Sequence, residues 1–352
     1  MKTALVTGGA GFIGCSVANQ LLKQHPDLHI VAMDNLHPQV HRKRERPARL
    51  PSGVELVVAD VCEPPAWDDL LRHFQPDAIL HLAAETGTGQ SLKESTRHAM
   101  VNVVGLTTML DALVRSDHLP QQILLTSSRA VYGEGTWRDD QGNHIYPGQR
   151  TNRMLTAGQW DFPGLSALPF TAATTLANPT SIYGSTKLAQ EHLLVSWCNS
   201  FNVKAKVLRL QNVYGPGQSL SNPYTGIVPL FARLARGGKS IPLYEDGRML
   251  RDFVYIEDVS AAIVQSLTAV EAFPHALDVG MGKAISIEQL AGIVAAHYSA
   301  PTPHVCGLFR DGDVRHASCV IDDTKKLLAW VPTTRVEDGI VALCRWIDEG
   351  AQ

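Results

Sequence analysis

Two side chains that could exchange a proton with a substrate, Tyr183 and Lys187, lie four residues apart before a helix-like run over residues 188–197. Residues four apart share one face of a helix. A tyrosine hydroxyl has a reference pKa of about 10 and is a poor base at neutral pH, but a neighbouring ammonium favours the phenolate. Ser128 follows a strand-like run and can hydrogen-bond a reacting hydroxyl. We therefore expect Ser128, Tyr183 and Lys187 to be catalytic, although a lone Tyr and Lys at this spacing often mean nothing.

A glycine-rich loop, G-x-x-G-x-x-G, begins directly after the first strand-like run. Such glycines permit a tight turn and let a pyrophosphate approach the N-terminus of the next helix. Asp34 ends the second strand-like run, where a carboxylate binds the ribose hydroxyls and repels a 2′-phosphate. The pattern predicts NAD, whose positive nicotinamide would also favour the Tyr183 phenolate; the alternative is a tight turn with an incidental Asp. The expected contacts are Gly8, Gly11, Phe12, Ile13, Gly14, Asp34 and Asn35, with Asp60 and Val61 either at the adenine or in a plain loop.

Strand-like and helix-like runs that alternate along the chain must position these residues. Apolar runs of strand length cover residues 3–7, 29–34, 54–58, 78–82, 122–127 and 206–210, and helical spacing covers 12–24, 227–236, 285–297 and 336–348. The strand runs are apolar on both faces, which is typical of strands covered by helices on both sides. The sequence therefore predicts an α/β fold, a Rossmann-type doubly wound parallel sheet.

We expect the chain to divide into two parts. Residues 1–215 and 251–280 would form the NAD-binding domain, and residues 216–250 and 281–352 a smaller mixed α/β lobe that binds substrate. Ser286 is a plausible N-cap for the helix that follows it. Residues 133–180 are rich in Gly, Pro, Thr, Asn and Arg and have little periodicity. They predict a long irregular excursion over the rim of the site.

Composition limits the partners that we expect. The chain has 352 residues and a net charge of −3, so it has no global basic field for nucleic acid or an anionic membrane. Its one basic run, residues 42–49, is interpreted as a solvated loop rather than a binding patch. None of the six cysteines has C-x-x-C spacing, so we expect no metal site and a reducing compartment, the cytoplasm. No apolar stretch approaches the ~20 residues of a membrane helix.

Taken together, these motifs resemble the extended short-chain dehydrogenases/reductases that act on nucleotide sugars. The resemblance covers nearly the whole chain. It rests on residues 7–14, 34–35, 82–84, 102, 127–128, 131–133, 183–187, 208–209, 212–216 and 251–254. More closely, the chain is similar to the dTDP-L-rhamnose 4-epimerases over residues 34–41, 84–91, 127–133 and 210–217.

The resemblance implies further site residues. For NAD these are Leu82, Ala83 and Ala84, with Asn102 either bracing the catalytic strand or serving as an ordinary buried Asn. Thr86 stands where sugar epimerases often have a lysine that contacts the cofactor. The implied substrate residues are Ser128, Arg129, Tyr183, Asn212, Pro242, Tyr244, Arg251 and Arg310. Among these, Asn212, Arg251 and Arg310 would bind the diphosphate, because a guanidinium matches phosphate oxygens. Pro242 and Tyr244 would flank the base; for Tyr244, Arg251 and Arg310 a purely structural role is the alternative.

The expected function is NAD-dependent C4 epimerisation of a nucleotide-linked sugar through a transient 4-keto intermediate, with dTDP-L-rhamnose and dTDP-6-deoxy-L-talose as the pair. UDP-glucose/UDP-galactose 4-epimerisation is the alternative. A 4,6-dehydratase or decarboxylase, an oxidoreductase with net redox change and a non-catalytic cofactor sensor are further interpretations. The resembling dehydratases carry an acidic pair directly after the catalytic Ser/Thr, where this chain has Arg129 and Ala130. Neither residue can supply the acid and base that dehydration needs.

The resemblance also implies a homodimer. Relatives pair through two helices from each subunit, which here would be the helical runs at residues 101–115 and 188–197. A helix face buried within one chain gives the same sequence pattern, so the sequence leaves both interpretations open.

Overall fold

A seven-stranded parallel sheet forms the centre of the protein in a computed structural model that describes residues 1–220, 226–270 and 272–350. The strands of this sheet are β1 (Thr3–Thr7), β2 (His29–Asp34), β3 (Val54–Val58), β4 (Ala78–His81), β5 (Gln122–Ser128), β9 (Lys204–Leu210) and β13 (Leu277–Val279). Their spatial order is β3-β2-β1-β4-β5-β9-β13, and each neighbouring pair is parallel. The order reverses between β1 and β4, so a ligand crevice is expected at the carboxyl ends of these strands. The predicted Rossmann-type fold is confirmed.

Helices cover both faces of this sheet. The helices of the chain are α1 (Phe12–Gln24), α2 (Pro64–His73), α3 (Thr88–Ser91), α4 (Ser95–Ala99), α5 (Gly105–Arg115), α6 (Asn152–Thr156), α7 (Ile182–Phe201), α8 (Ile227–Arg236), α9 (Ile256–Thr268), α10 (Ile287–His297), α11 (Asp322–Leu328) and α12 (Val336–Asp348). Alternate residues of β1 enter different cores: Val6 packs with the α1 and α9 side, and Leu5 with the α2 and α5 side. This two-sided burial explains the continuous apolar strands.

A second, four-stranded sheet builds the smaller part of the molecule. It contains β10 (Asn212–Tyr214), β12 (Leu250–Tyr255), β14 (Ala284–Ser286) and β16 (His316–Ala317), and a two-stranded sheet pairs β11 (Pro242–Leu243) with β15 (His304–Val305). Helices α8, α10 and α12 pack into one apolar cluster with this sheet. Ser286 caps α10 as predicted, in a reciprocal capping box with Gln289. The division of the chain at residues 215, 250 and 280 stays a prediction.

The segment between residues 133 and 180 is more ordered than its sequence indicates. It contains a three-stranded antiparallel sheet of β6 (Trp137–Asp139), β7 (His144–Ile145) and β8 (Leu165–Ala167), together with α6. Buried Arg150 joins Glu134 within the segment to Glu245 of the smaller part, at 3.2 and 2.8 Å. Most of the segment is nevertheless irregular, as predicted, and its place over the rim of the site stays a prediction. Strands of two or three residues are too short to show a period of two.

Two helices differ from their predicted extents in ways that concern the site. The run predicted at residues 101–115 begins with a π-helical segment (Met100–Val104) and continues as α5. The helix predicted at residues 188–197 is the centre of the longer α7, which begins one residue before Tyr183. Every helix in the described ranges is too short or too polar to cross a bilayer.

Candidate active site

A cavity of about 730 Å³ opens at the carboxyl edge of the main sheet, beside the point where the strand order reverses. This volume is in the range of small-molecule and cofactor sites. Most of the predicted NAD residues line it: Gly8, Gly11, Phe12, Ile13, Gly14, Asp34, Asn35, Asp60, Val61, Leu82, Ala83 and Ala84. The structure thus brings the glycine loop next to the loop after β4. The backbone N–H of Ala83 donates to Thr7 Oγ1, 76 residues away in the sequence.

The glycine loop leaves room for a phosphate group at the start of α1. A Cβ atom on Gly14 would lie 2.6 Å from the Cα of Gly9, so the loop and the helix touch through bare backbone. Gly8 has φ +66, and a Cβ there would lie 2.8 Å from the amide nitrogen of Ala83. No side chain caps the N-terminus of α1. Its first N–H groups and its dipole therefore face the cavity and suit the pyrophosphate of NAD.

Asp34 presents a fixed carboxylate at the other side of this loop. Its Oδ2 accepts from the backbone N–H of Ala10 at 3.1 Å, and its Oδ1 accepts from that of Leu36 at 2.9 Å. A carboxylate has about four acceptor sites; the two N–H groups take two of them, and His41 Nε2 lies 3.7 Å from Oδ1. The side chain is held in place before any ligand binds, and its charge opposes a 2′-phosphate. These residues therefore fit NAD better than NADP.

Asp60 is held in a similar way at the end of β3. Burial raises the pKa of its carboxyl group, but hydrogen bonds from Cys62 and Asn35 outweigh burial, so the pKa is lowered overall. The Asn35 amide donates to Asp60 at 2.9 Å, which joins two predicted cofactor residues. Asp60 is thus an anionic acceptor at neutral pH.

The basic run, which the sequence indicated to be a solvated loop, also forms one wall of the cavity. Arg42, Lys43, Arg46 and Arg49 line it, although the first three are exposed. The guanidinium of Arg49 donates to the backbone oxygen of Pro216 at 2.9 Å and so ties the run to the smaller part of the molecule. Sequence reasoning missed this wall because nothing in the local pattern shows which surface a loop will cover.

Ser128 and Tyr183 meet beyond this cavity, without lining it. Ser128 accepts from the N–H of Ala130 at 3.2 Å. Burial raises the pKa of Tyr183; the nearby hydroxyl of Ser128 and the charge of Arg129 offset part of this rise. Ser181 caps α7 by accepting from Gly184 at 3.0 Å. Tyr183 is therefore fixed in the first turn of α7, next to the end of β5.

Lys187 lies one turn further along α7 and is 2% exposed. Burial lowers its pKa to about 7, although the charge of Glu191 acts in the opposite direction. Its ammonium donates to Oε1 of Gln190 at 2.5 Å. Lys187 does not line the cavity, so its predicted contact with the cofactor stays a prediction.

Asn102 braces the catalytic helix rather than the catalytic strand. The π-helical segment places its fully buried amide between α7 and the loop after β4: it donates to Thr186 Oγ1 at 2.9 Å and to the backbone oxygen of Glu85 at 3.0 Å. Its own Oδ1 accepts from the Glu85 N–H at 2.8 Å. Irregular helical turns of this kind are frequent at functional sites. Asn102 does not line the cavity, and through Glu85, which does, it couples the cofactor loop to α7.

Two guanidinium groups of the predicted substrate set lie close enough for their charges to interact. Arg129 Nε donates to Oδ1 of Asn212 at 2.5 Å, and Arg251 donates to the backbone oxygens of Leu250, Val314 and Arg315 at 2.8, 2.7 and 3.3 Å. Burial lowers the pKa of both groups, that of Arg129 to about 9. Within the described ranges, neither has an ion-pair partner within 4.0 Å. Partly desolvated cations without a counterion favour an anionic ligand.

The remaining substrate candidates lie further along the smaller part. Arg310 is exposed, and its guanidinium carbon lies 5.0 Å from the ring centre of Tyr244. Tyr244 and Pro242 are partly exposed. None of the predicted substrate residues lines the 730 Å³ cavity. The cavity thus holds predicted cofactor residues, and the predicted substrate residues lie outside it; Asn212 adjoins it through its neighbour Val213, which lines it.

Known proteins share this arrangement. The NAD dependent epimerase/dehydratase family matches residues 4–154 and 161–282. The dTDP-L-rhamnose 4-epimerase of Burkholderia thailandensis is 56% identical over 346 residues, which cover 98% of this chain and 95% of that protein.

Solved structures are similar over the same length. The UDP-glucose 4-epimerase of Thermus thermophilus, in complex with NAD, has a TM-score of 0.78 and 26% identity, covering 99% of this chain and 100% of that one. The UDP-glucose 4-epimerase of Thermotoga maritima, with UDP-glucose, has a TM-score of 0.81 and the same coverage, and at 23% identity it shows the fold alone. This chain belongs to the NAD dependent epimerase/dehydratase family.

Proposed function

We propose that this protein is an NAD-dependent isomerase that inverts C4 of a nucleotide-linked sugar and interconverts dTDP-L-rhamnose and dTDP-6-deoxy-L-talose. The reaction class rests on Tyr183, which lies near Ser128 at the end of β5 and next to a cavity that fits NAD. The identity of the sugar rests on the relative that is 56% identical over almost the whole chain.

The side chains perform the proton chemistry. Ser128 orients the 4-hydroxyl of the sugar, and the Tyr183 phenolate takes its proton. The chemistry that bound NAD would supply at this site is reversible hydride transfer with C4. Between these events the 4-keto sugar turns over in the pocket, so the hydride returns to the opposite face. Tyr183 then gives its proton to O4.

Binding of the diphosphate is assigned to Arg251 and Asn212, with Arg310 as a second clamp. Arg251 is 7% exposed and held by three backbone oxygens, so its position is fixed before substrate arrives. A diphosphate would supply the counterion that this buried charge lacks. Pro242 and Tyr244 would flank the base.

Dehydration is disfavoured by the residues that follow Ser128. Removal of water across C5 and C6 needs a base for the C5 proton and an acid for the leaving hydroxyl. Arg129 has a pKa of about 9 and remains a cation at neutral pH. Ala130 has no proton to transfer. A 6-deoxy sugar has no 6-hydroxyl to lose, so this pair suits such a substrate.

One alternative has an observation in its favour. The Thermus thermophilus structure that this fold resembles at 26% identity is a UDP-glucose 4-epimerase. We would incubate the protein separately with dTDP-L-rhamnose and UDP-galactose in heavy water and follow C4 and C5 by NMR. The C4 epimer of dTDP-L-rhamnose, without solvent deuterium at C5, is expected. Turnover of UDP-galactose alone would replace the substrate assignment.

We also propose a cytoplasmic homodimer. Exposed apolar side chains cover the π-helical segment and α7, namely Met100 (45% exposed), Val104 (37%), Leu193 (37%) and Phe201 (40%). The two elements are in contact, so the four side chains supply an apolar surface for a second copy. Sedimentation of Leu193→Glu should show monomers where the native protein shows dimers.

A reducing location is supported by six cysteines that are all free thiols.

A further inference from the structure

We propose that Arg97 is a positioning residue for the cofactor: it ties the loop after β2 to the loop after β4 across bound NAD, and so slows the release of NAD. The part of the loop after β2 that takes part is residues 35–41, and the loop after β4 is residues 82–91, which include α3. The inference concerns cofactor binding alone, so it holds whichever sugar the protein epimerises.

The two loops begin on opposite sides of β1. Strands β2 and β4 both pair with β1, and Thr7 at the end of β1 lies opposite Met33 and His81. Neighbouring strands are about 4.8 Å apart, so the two loops start roughly 10 Å apart, with the glycine loop between them. A contact between the two loops therefore passes the place where the pyrophosphate of NAD is expected.

Side chains from both loops and from α4 make such a contact. Arg97 Nη2 donates to Oε1 of Gln39 at 3.1 Å. The amides of Gln39 and Gln90 donate to each other at 2.9 and 3.1 Å, and Gln90 is 2% exposed. Gln39 and Arg97 line the same cavity as Asp34. The loop after β2 is thus held against the opposite wall of the cavity by side chains that would lie beside NAD.

Arg97 is itself anchored to a fixed part of the structure. Its Nη2 also donates to Oε1 of Glu85 at 2.7 Å, and its Nη1 donates to Oε2 of Glu94 at 2.9 Å. The backbone N–H and oxygen of Glu85 are both held by the amide of Asn102. Arg97 therefore transmits the fixed position of Glu85 to Gln39 in the loop after β2.

The charge balance favours a bridge between the loops over a direct contact between Arg97 and a phosphate of NAD. Arg97 forms ion pairs with Glu85 and Glu94, and its side chain is 30% exposed. Arg251, in contrast, has no ion-pair partner within 4.0 Å in the described ranges. A guanidinium that two carboxylates already neutralise has less to gain from a phosphate.

The bridge also accounts for residues that the proton chemistry does not use. Gln39 belongs to residues 34–41, and Gln90 belongs to residues 84–91. These two stretches contribute to the narrower resemblance to the 4-epimerases. The structure brings both stretches into one contact at the cofactor cavity.

The test is the exchange of bound NAD, which needs no turnover. Each protein is loaded with radiolabelled NAD, an excess of unlabelled NAD is added, and the label that stays on the protein is followed by rapid gel filtration. Gln39→Ala removes one end of the bridge and leaves the ion pair between Arg97 and Glu85 in place. Release should be faster by about tenfold or more, as for the loss of one hydrogen bond to a charged group.

Arg97→Leu removes the other end of the bridge and should speed release at least as much. The double variant should release NAD no faster than Arg97→Leu, because both substitutions break the same contact. Arg72→Leu is the matched control: Arg72 pairs with Asp69 at 3.0 Å on the exposed side of α2, and it should release NAD at the native rate. Circular dichroism of each loaded protein verifies the native fold.

Native rates of release in both Gln39→Ala and Arg97→Leu would overturn the inference. Fast release from Arg97→Leu together with native release from Gln39→Ala would also overturn it, because Arg97 would then act on NAD without the loop after β2. If Arg97→Leu does not fold, Gln39→Ala decides alone. Native protein that holds NAD but epimerises no nucleotide sugar would refute the proposed function and leave this test unaffected.

Discussion

At the residue scale, the chemistry depends on Tyr183, whose burial opposes formation of the phenolate. Burial raises the pKa of Tyr183, and the hydroxyl of Ser128 and the charge of Arg129 offset part of that rise. The ordinary pKa of tyrosine is already about 10. Lowering this pKa is therefore the main requirement that the surroundings of Tyr183 must meet.

Replacement of Tyr183 by Phe removes one oxygen and leaves the ring in place. Turnover should fall by about 10²–10⁴-fold, the usual contribution of a general acid–base group, while bound NAD and thermal stability stay near native. Tyr298→Phe is the control, because Tyr298 bonds Cys344 and Asp348 away from the site. Near-native turnover in Tyr183→Phe would refute the mechanism.

Asp34 should decide between NAD and NADP. Its carboxylate is fixed by Ala10 and Leu36 at the rim of the cavity. Asp34→Ser should weaken NAD by about tenfold or more, which corresponds to a hydrogen bond to a charged group, and should improve NADP. Isothermal titration of cofactor-free protein measures both. Native protein that binds NADP as well as NAD would contradict this role.

At the element scale, the cofactor site depends on the close contact between the glycine loop and α1. A Cβ on Gly14 would lie 2.6 Å from the backbone of Gly9, where no flexible side chain can give way. Gly14→Ala should therefore displace the loop and lose most of the bound NAD. Gly292→Ala is the matched control in α10, since a Cβ there meets nothing within 4 Å. It should be neutral or stabilising by up to about 1 kcal/mol. Full NAD occupancy in Gly14→Ala would show that the loop binds otherwise.

The sequence could predict the strands and helices that have a regular apolar pattern, but not the shortest strands or the contacts between distant segments. The long strands and α1, α8 and α12 have the predicted bounds, or nearly so, because apolar periodicity is a local property. The same pattern predicted that the cofactor loops lie close together, since parallel strands end at one edge of the sheet. The sheet of β6, β7 and β8 was missed because strands of two or three residues are too short to show a period of two. The role of the basic run was missed because Arg49 reaches its partner Pro216 across 167 residues.

At the scale of the whole molecule, a buried ionic cluster joins the segment after β5 to the smaller part. Arg150 contacts Glu134 and Glu245, and Arg315 contacts Glu245 and Asp246. Both arginine side chains are at most 2% exposed. The cluster adjoins the loop that carries Tyr244 and the residues before Arg251. It therefore fixes the predicted substrate region relative to Ser128.

Breaking this cluster should destabilise the whole protein. Arg150→Met leaves two buried carboxylates without one of their cations, which costs about 3–5 kcal/mol. Arg115→Met removes an exposed pair with Asp68 and should cost at most about 1 kcal/mol. Urea unfolding of both variants gives the comparison. Equal stability of the two variants would show that the cluster does not hold the two parts together.

The central claim is that C4 of the sugar is oxidised and reduced again by the same hydrogen. The most direct measurement uses dTDP-L-rhamnose that carries deuterium at C4, in ordinary water, with the product followed by NMR and mass spectrometry. The account predicts dTDP-6-deoxy-L-talose that keeps the deuterium at C4, because the hydride never exchanges with solvent. A product that has lost this deuterium to water, or the absence of any C4 epimer, would contradict it.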